Sequence, residues 1–393
     1  MSKSVDPGHF FQSDASEANR ARKEAKSNNK NGNPIVLQSK ILNAIPDPFN
    51  ESCIYIAESA GCVRRVNVET KSFKTVYRGP TAPLTSVAIG GVGSSIVYAG
   101  CWDKDIWSWD RETQALSKKL KGHTDFVKTI ITSKLNDTNI LISGGADSKI
   151  MIWATRTGER LHVIQDKDNT MSALQNLSID PYESTTSNIT LFSSSSDPVI
   201  RRWHIYDLGG NKIMHEAPSS LSSQGKNSRG IIRENETSVY QILFSGDDED
   251  SDLWTCSADG TAMCLSRARN WVAQEIYEHG DYVRAVAVTE NWVVTAGRNE
   301  NVNVWSRATG KLLHIYEGHF DEVTSLVVIE KGKRIVSVGI DGTVRVWELG
   351  KKELEKEIEK RLLGDSLQED VSTIPNLMTA EEEDEIAELM NSD

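Results

Sequence analysis

The chain has 393 residues, 38% of them hydrophobic, and a formal net charge of −12. It is long enough for one large domain or two to three smaller ones, and apolar enough for a sizeable core. No uninterrupted apolar run is long enough for a membrane-spanning helix, and the N-terminus lacks the apolar segment of a secretory signal. Five cysteines are widely spread and none forms a C-x-x-C pair, so neither a disulfide framework nor a zinc site is expected. That usage fits a reducing intracellular compartment, the nucleus or cytoplasm. Residues 365–393 hold ten acidic and no basic side chains, which leaves only −5 for residues 34–350. Such a body lacks the basic footprint of a nucleic-acid binder, so no direct nucleic-acid partner and no membrane contact are expected.

In chain order, residues 1–33 are polar and rich in Asn, Ser and Lys, and read as a disordered or marginally helical arm. PIVLQSKI (34–41) reads as a spare strand. From there to Trp347 the chain is an all-β pattern, with short runs such as CIYIAES, ILISGG and WVVTAG punctuated by Gly, Asp and Asn. One template recurs across seven segments, with its Asp present in five and its Trp in five. It is an Asp, an apolar residue three places later, and a Trp six places later. Its anchors are 60, 103, 147, 197, 259, 299 and 341, separated by 43, 44, 50, 62, 40 and 42 residues. A period of about 40–45 residues with four strands per unit is that of a propeller blade. Between units four and five, residues 207–237 exceed the expected outer strand by roughly 20 residues and have a Ser/Gly-rich centre. Residues 351–364 form a charged helical pattern, so the seventh blade lacks an outer strand. The spare strand at 34–41 is expected to supply it and close the ring, which removes open sheet edges. The acidic tail, 365–393, includes a capping box at Thr379–Glu382 followed by Ile386, Leu389 and Met390 on one face. Such a helix suits a partner's groove or the chain's own cationic surface.

Gly122-His123 and Gly318-His319 precede two anchors, and His279 precedes a third. Hydroxyls at Ser143, Ser193, Thr255, Thr295 and Ser337 lie four residues before most anchors. These features, over residues 35–348, resemble the WD-repeat β-propeller family. The resemblance implies a seven-bladed β-propeller closed by an N-terminal strand, with a short C-terminal helix and acidic tail. It also implies hydrogen-bonded sets inside the blades: His123, Ser143, Asp147 and Trp153; His279, Thr295, Asn299 and Trp305; His319, Ser337, Asp341 and Trp347. Because the His–Ser–Asp grouping recurs, it reads as packing and not as a hydrolase triad, which an enzyme builds once. Unit one, with Ala60 and Val66, and unit five, with Leu265, depart from the template and are expected to rest on apolar packing alone.

The chain carries none of the common nucleophile, zinc or phosphate-loop signatures. The resemblance implies a protein-interaction scaffold that binds partner peptides at the mouth of the central channel, without cofactor. Two positions per blade are implied to line that mouth. One precedes the turn Asp: Trp102, Ala146, Ser196, Ala258, Arg298 and Ile340. The other follows the apolar residue that opens the innermost strand: Thr85, Lys128, Tyr240, Arg284 and Thr324. Lys128, Arg284 and Arg298 suit an acidic or phosphorylated peptide, with Trp102 and Tyr240 as aromatic anchors. Two alternatives follow from the family: a ubiquitin-ligase substrate receptor, on Trp153-Ala154-Thr155-Arg156, and a propeller hydrolase acting at the channel mouth.

Overall fold

The computed structural model describes residues 14–165, 171–207, 213–216, 230–246 and 249–360. The acidic tail, the end of the charged helix at 361–364 and the centre of the 207–237 insertion lie outside the described residues. Within the unit that ends at Trp347, seven antiparallel sheets follow one another along the chain. Blade 1 comprises Ile41–Pro46, Cys53–Glu58, Val63–Asn67 and Ser72–Tyr77. Blade 7 comprises Val323–Ile329, Arg334–Gly339 and Thr343–Glu348, and its outer strand is Ile35–Val36. The first and last β segments among the described residues therefore pair and close the ring, through Ile35 opposite Val344 and Val36 opposite Thr343.

Burial follows the position of a strand in its blade. Inner strands are covered on both faces by neighbouring blades, so they read as continuous apolar runs. In blade 3, every residue of Ile150–Ala154 is buried. Outer strands meet solvent on one face and alternate, as in VAQEIYE at Val272–Glu278. The core consequently lies between blades. Ile140, Ile142, Ile150 and Ile152 of blade 3 pack on Leu174, Leu177, Leu191 and Trp203 of blade 4. Ile41, Ile54 and Ile56 of blade 1 pack on Val327, Val336 and Val344 of blade 7. Each such side chain contributes about 1.5–3 kcal/mol over its exposed state.

Blade 4 departs from the four-stranded plan. Its third strand, Ile200–Asp207, pairs with Ile213–Glu216 at one end and with Ile231–Ile232 at the other. The insertion thus interrupts the outermost strand instead of following it.

The composition of the N-terminal arm left open a disordered or a marginally helical segment, and the structure shows a helix over part of it. Asp14–Ser27 forms a helix, α1. An isolated polar helix of this length is marginal in water. Here it is seated on the propeller by Arg22–Glu300 at 2.6 Å, Lys23–Asp321 at 2.6 Å and Lys26–Glu300 at 2.8 Å. Beyond α1, Asn29 and Asn31 donate to the carbonyls of Gly318 and Glu317, and they hold the fully buried Arg345. Gly32 adopts φ +66°, and a Cβ there would lie 2.7 Å from the Trp347 ring. The arm passes too close to that indole for a side chain.

In the second unit, residues 351–360 are helical. Among the described residues, no helix is long and apolar enough to cross a membrane.

Candidate functional site

The innermost strand of every blade carries a register shift near its start. The residues skipped are Leu42, Thr85, Lys128, Gln175, Tyr240, Arg284 and Thr324. A β-bulge leaves one residue out of the ladder and re-aims its side chain. All seven line one cavity of ≈ 520 Å³ at one end of the central channel. The bulges thus present one side chain per blade to the mouth. Farther along the channel a second cavity is lined by Pro46, Ile131, Leu243, Val288 and Val328 together with polar residues such as Asn43, Thr129, Asn176 and Gln241.

The turn positions are tied through the backbone to the residues two places before the bulges. The amides of Trp102, Ala146, Ser196, Ala258, Arg298 and Ile340 donate to Pro83, Phe126, Ala173, Ser238, Tyr282 and Glu322, at 2.8–3.0 Å. Trp102, Arg298 and Ile340 line the cavity with Lys128, Tyr240 and Arg284, whereas Ala146, Ser196 and Ala258 are not among its lining residues.

The mouth couples rings with cations. Trp102 stacks on Phe126 at 5.0 Å and 14°, and both are exposed. The Arg284 guanidinium lies 4.2 Å from the Tyr240 ring centre, and that of Arg298 lies 5.1 Å from Tyr282. Arg284 Nε is 2.8 Å from a Glu322 oxygen. No carboxylate lies within ion-pair distance of Lys128 or Arg298 among the described residues. Burial, and then the charge of Arg284, pull the Lys128 ammonium below the ordinary lysine range, against the opposing influence of Asp125. The mouth therefore holds like charges that an incoming anion would stabilise. Phe126, Tyr282 and Glu322 were not foreseen in the sequence. Each sits immediately before the apolar residue that opens an innermost strand, so the position itself was the available signal.

Behind the mouth, the recurring polar residues are bonded within their blades. In blade 3, His123 Nδ1 lies 3.0 Å from Asp147, and its Nε2 lies 2.8 Å from Ser143. Trp153 donates its indole N–H to the same hydroxyl at 2.9 Å. The Asp147 carboxylate only accepts, so Nδ1–H donates to it, which leaves Nε2 to take the Ser143 proton. Blade 7 repeats the set, with His319 to Asp341 at 2.8 Å, His319 to Ser337 at 2.7 Å and Trp347 to Ser337 at 2.8 Å. In blade 6 the imidazole is reversed. His279 Nδ1 meets Thr295 at 2.9 Å, Nε2 meets Asn299 at 2.8 Å, and Trp305 donates to Thr295 at 2.8 Å. Asn299 carries no charge, and burial holds the His279 imidazole below the ordinary histidine range. Ser143 and Ser337 are fully buried with their protons committed, so these sets are arranged for packing.

The departing blades do not rest on apolar packing alone. In blade 1, Arg64 pairs with the buried Glu58 at 2.5 Å. In blade 5, Asn235 stands near Thr255, donating at 3.4 Å, and Asp259 accepts from Thr261 and the Glu236 amide. Blade 4 has Asp197 paired with Arg201 at 3.1 Å where other blades place a histidine. An interior that loses one polar partner recruits another, because a buried group left unpaired costs about 1–3 kcal/mol. In the Trp153–Arg156 segment, Trp153 is committed to the blade 3 network, and the Arg156 carbonyl accepts from Lys118.

Seven blades, a bulge-lined mouth and repeated Asp–His–Ser–Trp networks define a WD-repeat β-propeller. The WD domain, G-beta repeat family model matches residues 114–154 and 310–348, the two stretches that end on the complete networks of blades 3 and 7. The chain thus carries WD-repeat matches on a seven-bladed propeller. It is 27% identical over 396 residues to an uncharacterized WD repeat-containing protein of Schizosaccharomyces pombe, covering 98% of each chain. It is 23% identical to the nuclear distribution protein nudF of Aspergillus niger, across 72% of this chain and 63% of nudF. It is also 23% identical to autophagy-related protein 16 of Arabidopsis thaliana, across 70% of this chain and 49% of that protein.

Proposed function

We propose that the chain is a non-enzymatic intracellular scaffold that holds a partner protein by an acidic or phosphorylated peptide at the channel mouth. The observation that carries this is the convergence of Lys128 and Arg298, neither ion-paired among the described residues, with Arg284 in one ring-flanked cavity. A carboxylate or phosphate entering there gains charge-assisted hydrogen bonds, and the Trp102–Phe126 stack offers apolar contact beside it. The carboxylate that lines the mouth, Glu322, is engaged by Arg284, so its placement suits charge balance better than general-base chemistry.

Affinity purification with mass spectrometry, comparing the wild-type protein with a Lys128→Gln/Arg284→Gln/Arg298→Gln variant, tests this reading. Hydrogen bonds to charged groups contribute about 1.5–3 kcal/mol each, so the variant should lose a mouth-bound partner by about 100-fold or more. Identical co-purifying sets would discard the mouth as the docking site.

A further inference from the structure

The helix α1 is seated on two turns that also build the mouth. Glu300 lies two residues beyond Arg298 in one blade 6 turn, and Asp321 directly precedes Glu322 at the entry to blade 7. Glu300 is buried, 4% exposed, and is held by both Arg22 and Lys26 of α1. Asp321 is held by Lys23. Burial alone would push the Glu300 carboxyl up, but Arg22 and Lys26 more than offset that and keep it ionised below the usual glutamate range. Three cations from the arm thus answer two carboxylates on the rim. Without them, Glu300, Asp321 and Glu322 would form an acidic arc beside Arg298 and Arg284. Like charges next to an anion site oppose the ligand.

We infer that α1 is part of the binding face, and that Arg22, Lys23 and Lys26 set the charge sign of the mouth by cancelling the rim carboxylates. This inference rests on the reading of the mouth as an anionic-peptide site. On this account an anionic peptide binds well only where the charge of the rim carboxylates is cancelled, as the seated arm cancels it in the wild-type chain. Its approach over blades 6 and 7 runs alongside a helix whose Arg22 and Lys26 side chains remain 49% and 41% exposed.

Fluorescence anisotropy on the full chain tests the inference, using a short fluorescein-labelled Gly-phosphoserine peptide and its Gly-glutamate counterpart. The two probes separate a phosphate preference from a general anion preference. At low salt, Arg22→Gln/Lys23→Gln/Lys26→Gln should weaken binding by about fivefold, with the loss shrinking as salt screens it. Adding Glu300→Gln and Asp321→Asn to that triple variant should restore affinity to within about twofold of wild type, because the charges to be cancelled are gone. A merely structural clamp would give no such rescue, since the five-fold substituted chain has lost every ion pair that seats the helix. An unchanged affinity in the triple variant, or the absence of rescue, overturns the inference. Lys128→Gln/Arg298→Gln serves as the separate control. If it weakens binding while the arm variant does not, only the role of α1 fails. If neither weakens binding, the reading of the mouth fails with it.

Discussion

Asp341→Ala should lower the free energy of unfolding by about 3 kcal/mol or more, because it orphans several buried donors at once. Asp341 is fully enclosed and accepts from His319 Nδ1 at 2.8 Å, from the Thr343 amide and hydroxyl at 2.9 Å each, and from the Phe320 amide at 3.2 Å. Asp341→Asn should cost roughly half as much, since one oxygen still accepts. Asn299 already serves His279 in this way in blade 6. The effect carries a pH signature. Burial would push the Asp341 carboxyl up, but His319 and Thr343 outweigh it and hold the group below the usual aspartate range. A carboxyl depressed on folding contributes stability that is fully present above its unfolded value of about 3.9 and is lost as pH falls towards the folded value. The gap in urea midpoint between wild type and Asp341→Ala should therefore be wide at neutral pH and narrow on acidification below about pH 4. A gap independent of pH would show that Asp341 acts through shape and not as a buried anion.

Removing residues 1–33 should cost about 3 kcal/mol, and most of that loss should be traceable to one guanidinium. Ladder pairing at the ring closure rests on two residues, Ile35 and Val36, whereas the second-to-third strand pairs of blades 3 and 6 carry five each. The arm compensates by holding Arg345, which is fully buried and is bonded by Asn29 Oδ1 at 2.8 Å and by the Asn31 carbonyl. Burial pulls the Arg345 guanidinium below the ordinary arginine range, with Asp341 opposing, so the group depends on neutral acceptors supplied from the start of the chain. The ion pairs of α1 are partly exposed and add little to stability, about 0–1 kcal/mol each. A double-mutant cycle isolates the latch. Arg345→Met should destabilise the full-length chain but be close to neutral once residues 1–33 are gone, a coupling of about 2 kcal/mol. Additive losses would mean that the arm and Arg345 act independently.

The blades were legible because a propeller repeats its constraints. Each unit needs a tight turn before its third strand and a large ring to fill the seam between blades, so Asp and Trp recur at one spacing even where identity elsewhere is free. The mouth was legible for a related reason. The bulge falls at the same place in each innermost strand, so Lys128, Tyr240 and Arg284 could be located without knowing that a bulge put them there. What escaped the sequence depends on distant partners. The arm read as disordered or marginally helical because its composition is polar, and its stabilising carboxylates, Glu300 and Asp321, lie 274–298 residues away. Blades 1 and 5 looked purely apolar because they lack the template residues, whereas Glu58–Arg64 and Asn235–Thr255 meet the same need for pairing from other positions. The Trp102–Phe126 stack joins two blades, and no periodicity within one repeat encodes a contact between repeats.

Site-specific photo-crosslinking tests the central claim most directly. A benzophenone side chain in place of Phe126 lies on the mouth rim, while the same group in place of Phe49 lies in a first-to-second strand loop, at the channel's opposite end, and is 56% exposed. The account predicts partner adducts from position 126 that disappear in the Lys128→Gln/Arg284→Gln/Arg298→Gln background, and none from position 49. Adducts of the same partner at position 49, or adducts at 126 that survive loss of the three cations, would contradict it.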